Sequence, residues 1–237
     1  MMINIQPIPV LKDNYTWFVR SSDGRGILID PGEAAPVEAV VNDNPIEAIF
    51  LTHHHADHIA GANALRERYG AAVYGPSNAY ATLDHILQGG ETLTVAGIAI
   101  HVLASPGHAV GHLSYVLPEV PALFCGDVLF SGGSGRLLEG TAEELYRSLR
   151  AYDSLSDETL VCAGHEYTAS NMAFIASLGI ETEAFRKRRD EVTALRAKGL
   201  PTLPVTLGIE RKTNPFLQAK DSQEFARLRQ LKDHFRG

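Results

Sequence analysis

The stretch AIFLTHHHADHIAGANAL, residues 48–65, decides how this sequence is interpreted. It places four histidines and one aspartate within the six residues 53–58, directly after a strongly apolar run. Imidazoles this close together would repel one another if they were charged. Neutral imidazoles and carboxylates are ligands of zinc, iron and manganese, so metal coordination explains the crowding. The stretch therefore predicts a metal site at the end of a buried strand.

The spacing within this stretch predicts how its side chains are divided between ions. In a locally extended loop His53 and His55 point the same way, so they can bind one ion while His54 points elsewhere. Asp57 and His58 begin the following helix and can reach a second ion. We therefore interpret His54 as a structural residue or as a support behind the ligands.

Three more candidate ligands follow apolar strands later in the chain, each in a turn marked by glycine. They are His108 in ASPGHAVGH, Asp127 in FCGDVLF and His165 in CAGHEY. Polar residues at strand ends gather at one edge in α/β proteins, which predicts a site for two ions. The first ion would be bound by His53, His55 and His108, the second by Asp57, His58 and His165, and both by the two oxygens of Asp127. We interpret His112, like His54, as a structural residue or as a support behind the ligands.

Punctuation by glycine and proline predicts a strand-rich body with interspersed helices, which favours two packed sheets flanked by helices. LTVAGIAIHVLAS is interpreted as a strand, and HIAGANALRERYG as a helix that ends at Gly70. In TAEELYRSLRAYDSL, Thr141 and Glu144 form the pattern of a capping box. After residue 167 the chain is predicted to be a helical appendage, with a Pro- and Thr-rich loop over residues 200–216.

Composition and charge limit the classes of function. The 237 residues, 45% of them hydrophobic, suit one domain with a small appendage. We expect neither a secretory signal nor a transmembrane helix, and Cys125 and Cys162 are typical of buried thiols in a reducing cytoplasm. Residues 1–180 hold 8 Lys and Arg against 20 Asp and Glu, which argues against nucleic-acid binding. Residues 181–237 hold 13 against 8, so this basic segment is either a solvated helix surface or a site for a small anion.

The order of H-x-H-x-D-H, His108, Asp127 and His165 resembles the metallo-β-lactamase superfamily over roughly residues 5–167. The resemblance implies an α/β fold, the αββα sandwich, with the metals at one edge. It also implies a catalytic domain over residues 1–167 and a helical, glutathione-binding region over residues 168–237.

Within this superfamily the chain resembles the glyoxalase II, or hydroxyacylglutathione hydrolase, family. The matching segments are residues 130–141, 163–174, 214–217 and 227–235. Arg136, Tyr167, Arg229 and Lys232 fall on positions that contact glutathione in that family. Arg229 and Lys232 are three residues apart on a predicted helix and could clamp a carboxylate. Two departures are Leu138, where an aromatic ring is common, and Ser134, where a cysteine is often found.

The resemblance implies hydrolysis of S-2-hydroxyacylglutathione, such as S-D-lactoylglutathione, to glutathione and a 2-hydroxy acid, the last step of methylglyoxal detoxification. A hydroxide bridging two divalent ions, zinc or alternatively iron or manganese, would attack the thioester, with Asp127, Asp57 and His58 as the catalytic residues. Asp30, at the end of GILID, would orient a histidine ligand from behind or would be a turn residue before Pro31 and Gly32. We expect a small-molecule substrate, no nucleic-acid or membrane partner, and a monomer or weak homo-oligomer. The alternatives are a persulfide dioxygenase with one iron, a lactonase, or a non-catalytic metal-binding or interaction protein.

Overall fold

Two six-stranded β-sheets form the centre of the fold in the computed structural model, which describes residues 3–79 and 81–236. The first sheet contains, in spatial order, β1 Ile3–Val10, β2 Asn14–Ser21, β3 Gly26–Ile29, β4 Ile46–Phe50, β5 Ala72–Gly75 and β6 His85–Ile86. Its first three strands pair antiparallel and the later neighbours pair parallel.

The second sheet is mainly antiparallel. Its spatial order, numbered along the chain, is β14 Val205–Thr206, β13 Leu160–Ala163, β10 Ala122–Gly126, β9 Leu113–Leu117, β8 Ile98–Ala104 and β7 Thr92–Val95. β10 and β13 pair parallel, so their carboxyl ends lie at one edge. A small hairpin of β11 Leu129–Phe130 and β12 Gly133–Ser134 follows β10.

Alternation along the strands assigns the side chains of the first sheet to two apolar layers. On β2, Trp17 enters the core that the two sheets share, whereas the next residue, Phe18, belongs to a separate cluster. Successive side chains on a strand point to opposite faces, so a strand that is apolar on both faces must be covered on both. Helices α1 Ala34–Val41 and α3 Ala62–Tyr69 supply the cover on the Phe18 side.

A capped helix packs onto the core of the second sheet. α4, Ala142–Ala151, begins at Thr141, whose hydroxyl oxygen accepts from the Glu144 N–H at 3.2 Å while the Glu144 carboxylate accepts from the Thr141 N–H at 2.8 Å. Its buried Leu145 and Leu149 join the shared core. The predicted αββα layering and this capping box are both confirmed.

The chain after residue 167 is helical. The helices are α5 Thr168–Ser177, α6 Glu183–Ala197, α7 Leu207–Thr213, α8 Pro215–Gln218 and α9 Ser222–His234, with the short α2 Ala56–Ile59 lying earlier in the chain. α9 packs against α4, and its Phe225 joins the shared core. Among the described residues no helix is both long enough and apolar enough to cross a bilayer. Cys125 and Cys162 are buried and free.

Three local predictions were wrong in detail. LTVAGIAIHVLAS forms the hairpin of β7 and β8, because Ala96 and Gly97 take positive φ angles and reverse the chain. HIAGANALRERYG is two helices, because the Gly61 N–H donates to the Pro31 carbonyl at 2.9 Å instead of continuing the first helix. The predicted loop over residues 200–216 contains β14 and α7, since Thr206 caps a helix within it.

Candidate metal centre

Three imidazole nitrogens converge at the end of β4. His53 Nε2 lies 3.1 Å from His55 Nδ1, and His108 Nε2 lies 3.1 Å from the same atom. Two imidazole nitrogens that both carry lone pairs cannot bond to each other, so a proton or a cation must lie between them. This triad, His53, His55 and His108, is called the first cluster.

The second nitrogen of each ring in the first cluster has its own partner. His53 Nδ1 lies 2.9 Å from the Thr52 hydroxyl, which itself donates to Asp30, so the imidazole is the donor in this pair. His108 Nδ1 donates to the Arg136 carbonyl at 2.9 Å, and His55 Nε2 donates to the Glu139 carboxylate at 3.2 Å. These partners assign the proton to the outer nitrogen and leave the inner lone pair available to a metal.

A second cluster, Asp57, His58 and His165, lies beside the first. His58 Nε2 and His165 Nε2 are 3.3 Å apart, and an Asp57 oxygen is 3.3 Å from His165 Nε2. Here carboxylates face the outer nitrogens: Asp30 accepts from His58 Nδ1 and Asp13 accepts from His165 Nδ1, each at 2.9 Å. The inner nitrogens are therefore oriented toward a shared point, as in the first cluster.

Asp127 lies between the two clusters. One oxygen is 3.4 Å from His58 Nε2, and the other is 3.3 Å from His165 Nε2 and 3.5 Å from His108 Nε2. Asp127 is 6% exposed, and its Oδ1 atom has no hydrogen-bond partner. A buried carboxylate oxygen without a partner is costly, and a bound cation would remove that cost.

One feature of the chain keeps the Asp127 carboxylate accessible, and another fixes the backbone that carries it. A Cβ at Gly164 would lie 2.5 Å from Asp127 Oδ1, so only glycine leaves this oxygen accessible. The Asp127 N–H donates to Nε2 of the fully buried His112 at 3.2 Å. His112, which was interpreted as a structural residue or a support, thus fixes the backbone that carries Asp127.

The electrostatics of the two clusters differ. Burial lowers the pKa of His53 well below its usual value, and burial also lowers the pKa of His108 although Asp127 opposes it. Burial disfavours the charged form of His165 too, but the neighbouring aspartates, led by Asp127, outweigh it and raise its pKa to about 11. Burial therefore favours the neutral imidazole at His53 and His108, whereas the carboxylates around His165 favour a positive charge at that position. Both clusters fit divalent cations.

The cleft over the clusters has a volume of about 510 Å³. Five predicted ligands line it, His55, Asp57, His108, Asp127 and His165, and so do all four predicted glutathione contacts, Arg136, Tyr167, Arg229 and Lys232. The part lined by the ligands is called the metal end, and the part lined by Arg136, Arg229 and Lys232 the cationic end. The Tyr167 ring stacks on the His165 ring with centroids 4.7 Å apart and planes at 6°. Leu138 and Ser134, the two departures from the family pattern, also line the cleft.

The cationic side chains of the cleft are not equally available. Arg229 is 4% exposed, and its guanidinium donates to the Ser134 carbonyl at 2.8 Å and to Asp233 at 2.8 and 3.1 Å. Lys232 donates to Ser170 over longer distances of 3.2 and 3.3 Å, while Arg136 is largely exposed. Burial, together with the charges of Arg229 and Arg136, lowers the pKa of Lys232 to about 8.

Sequence reasoning missed several side chains around this site, among them Asp13, Thr52 and Asn14, which contact predicted ligands, and two further residues, Asp233 and Glu139. Asp233 holds Arg229, and Glu139 contacts His54 and His55. Glu139 lies within the segment that carries the family resemblance, but no local spacing connects it to residues more than 80 positions earlier. The geometry places the seven predicted ligands together, and their roles as metal ligands stay a prediction.

Comparisons with known proteins agree with this geometry. Residues 11–165 match the family model of the metallo-beta-lactamase superfamily. ETHE1 from Myxococcus xanthus has a similar structure, with a TM-score of 0.73, 29% identity, and coverage of 97% of this chain and 90% of that one. The chain belongs to the metallo-beta-lactamase superfamily.

The C-terminal part of the chain identifies the family within this superfamily. Residues 166–235 match the model described as the hydroxyacylglutathione hydrolase C-terminus. The hydroxyacylglutathione hydrolase of Klebsiella pneumoniae is 44% identical over 92% of this chain and 88% of its own length. That of Citrobacter koseri is 41% identical over 98% of this chain and all of its own. Within the superfamily the chain is a member of the hydroxyacylglutathione hydrolase family.

Proposed function

We propose that this protein hydrolyses the thioester of S-2-hydroxyacylglutathione, with S-D-lactoylglutathione as substrate, to glutathione and a 2-hydroxy acid. One observation carries the proposal: two clusters that could hold cations lie at a single cleft whose lining also includes Arg136 and Lys232. The names of the 41–44% identical relatives support it, because they state this activity. The match at the C-terminus favours the hydrolase over the dioxygenase, the lactonase and the non-catalytic protein.

The first cluster would hold one divalent ion, the second cluster another, and Asp127 would contact both. We propose zinc at both positions, with iron or manganese compatible with the same donors. Divalent ions bound there would supply Lewis acidity and would lower the pKa of a bound water toward neutrality.

The protein's own residues orient this centre. Asp30 accepts from the His58 ring, from the Thr52 hydroxyl at 2.6 Å and from the Thr52 N–H at 2.7 Å. This network holds the outer ring nitrogen of His58 directly, and it holds the outer ring nitrogen of His53 through Thr52. Asp57 is held by the Asn14 amide, which donates to it at 2.9 Å. Catalysis at such a site depends on groups that are in place before the substrate arrives.

The other end of the cleft would recognise glutathione. Glutathione carries two carboxylates and one ammonium, so it is a net anion that the acidic body of the protein would repel. Arg136 and Lys232 would offset this repulsion by pairing with a carboxylate, and Tyr167 would flank the substrate beside His165. The glutathione thiolate, with a pKa near 8.5–9 by analogy with cysteine, can leave without a general acid. A lactam nitrogen, in contrast, would have to be protonated.

The remaining functional context is also proposed. The enzyme would act in the cytoplasm, in the last step of methylglyoxal detoxification, as a monomer or weak homo-oligomer. The chain would divide into a catalytic domain over residues 1–167 and a glutathione-binding region over residues 168–237.

The test is a hydrolysis assay on S-D-lactoylglutathione, with metal analysis of the same preparation. We expect two ions per chain and release of free thiol that stops when the ions are removed by a chelator. One iron per chain together with oxygen consumption on a glutathione persulfide would instead support the dioxygenase. A preparation without metal and without hydrolysis would support the non-catalytic alternative.

A further inference from the structure

Glu139 makes several contacts with the loops that carry the first cluster. One carboxylate oxygen, Oε1, lies 2.9 Å from His54 Nε2 and 3.2 Å from His55 Nε2. The other, Oε2, accepts from the Val110 N–H at 2.9 Å. The Glu139 N–H donates to the His108 carbonyl at 3.3 Å. This one residue therefore contacts two of the three histidines of the first cluster, one by its side chain and one by its backbone.

The contact with His55 determines which ring nitrogen faces the cluster. His53 and His108 present Nε2 inward, whereas His55 presents Nδ1. For Nδ1 to have a free lone pair, the His55 proton must be on Nε2, and an ionised carboxylate accepts that proton without offering one in return. A carboxylate behind a histidine also restrains the rotation of its ring and makes the inner nitrogen a stronger donor.

His54 explains why the same oxygen serves two rings. Its Nδ1 atom lies 3.1 Å from the Asn78 amide nitrogen, which can only donate. The His54 proton is therefore on Nε2, and it too points at Glu139 Oε1. His54 is thus a neighbour of Glu139 outside the first cluster, in agreement with its interpretation as a support.

We infer that Glu139 is a positioning residue that holds His55 in the orientation and tautomer required by the first metal position. The inference rests on the proposed function, because it assumes that the first cluster binds an ion. Glu139 does not itself reach the inner nitrogens. Its contribution would be to the affinity of one ion rather than to bond cleavage.

The informative substitution is Glu139→Gln, which keeps the shape of the side chain. A glutamine has one acceptor oxygen, so it can serve either the Val110 N–H or the two imidazole N–H groups, but not both. If its NH₂ group faces His55, two donors meet and the His55 proton is driven toward Nδ1, where the metal should bind. The backbone bond from residue 139 to His108 is unchanged in this variant.

Metal affinity is measured by competition with a chromophoric chelator on the full chain, with the two ions resolved. We expect Glu139→Gln to lower the binding affinity of one ion by about 10- to 100-fold. This loss should be at least tenfold larger than the loss of affinity for the other ion. The visible spectrum of the cobalt-substituted protein should change, because the ligand field of one ion is altered. The control is Glu143→Gln, an exposed carboxylate on α4 that pairs with Arg147, for which we expect wild-type affinity.

Three outcomes separate this inference from the proposed function. If Glu139→Gln binds both ions with wild-type affinity while the wild type hydrolyses the thioester, the inference alone is overturned. If the affinity for both ions falls equally and the metal-free variant melts at a lower temperature than the metal-free wild type, Glu139 only holds the loops together. The inference is then again overturned. If the wild type takes up no ion at the first cluster, the proposed function fails and the inference fails with it.

Discussion

The two ends of the cleft are built in different ways. At the metal end, the outer nitrogen of every histidine in the two clusters already has a partner, such as Thr52 for His53 and Asp13 for His165. At the cationic end, Lys232 has long hydrogen bonds with Ser170 and lies over the Phe174 and Phe235 rings, and Arg136 is largely exposed. The metal end is therefore organised before any ligand binds, whereas the cationic end can rearrange around one.

Arg229 shows that residues of the same charge in one cleft need not share a role. Its guanidinium donates hydrogen bonds to Ser134 and Asp233 and lies 5.3 Å from the Phe216 ring centre. Such a buried, fully partnered arginine supports the wall of the cleft as much as it attracts an anion. The comparison therefore predicts large effects on chemistry at the metal end and effects on binding or stability at the cationic end.

The largest effect is expected for Asp127→Ala. Because Asp127 contacts both clusters, its loss should reduce the affinity of both ions and lower kcat/KM by about 1,000-fold or more. Metal analysis and the thioester assay measure the two effects. Retention of two tightly bound ions in this variant would show that Asp127 does not connect the two positions.

A smaller and more selective effect is expected at adjacent histidines. His55→Ala should lose the ion of the first cluster, since it removes the Nδ1 donor, whereas His54→Ala should keep both ions and most activity. The ion content of the two variants, measured under identical conditions, is the readout. The reverse pattern would mean that His54 rather than His55 is the ligand.

Arg229→Ala and Lys232→Ala should differ in kind. Removal of the buried Arg229 deletes its hydrogen bonds to Asp233 and to the Ser134 carbonyl and should cost about 1–3 kcal/mol of the free energy of unfolding. Lys232→Ala should raise KM for S-D-lactoylglutathione by roughly tenfold with little change in stability or in kcat. Chemical denaturation and steady-state kinetics distinguish them, with the exposed Lys187→Ala as control. Equal stability losses in both cleft variants would contradict the comparison.

The smallest effect is a pH dependence of substrate binding. Lys232 faces Arg229, Arg136 and Asp233, and its pKa is lowered to about 8, so its ammonium is present at pH 7 and is lost as the pH rises toward 9. KM for the glutathione thioester, relative to that for a thioester without glutathione, should rise by at most about tenfold over this range. Lys232→Arg stays charged and should flatten the profile. An unchanged profile in that variant would exclude Lys232 as its source.

Sequence alone predicted the residues that line the cleft more completely than the residues that support them, and the reason is physical. The ligands follow strand ends in short motifs, so local spacing placed His53 and His55 on one side and His54 on another. The supports of Arg229 and His55 come from Asp233 and Glu139, whose contacts depend on how α9 and the loop before α4 pack. Tertiary packing of this kind has no local signature. α7 was also predicted as loop, although Thr206, which caps it, was a local signal in the sequence.

The most direct test of the account compares wild type with Arg136→Ala/Lys232→Ala on two substrates. One is S-D-lactoylglutathione, and the other is a lactoyl thioester of a small thiol that lacks the glutathione carboxylates. We predict that the double variant keeps two ions, loses roughly 100-fold or more in kcat/KM on the first substrate, and stays close to wild type on the second. An equal loss on both substrates with two ions bound would contradict the claim that this cleft joins a metal centre to a glutathione-recognising end.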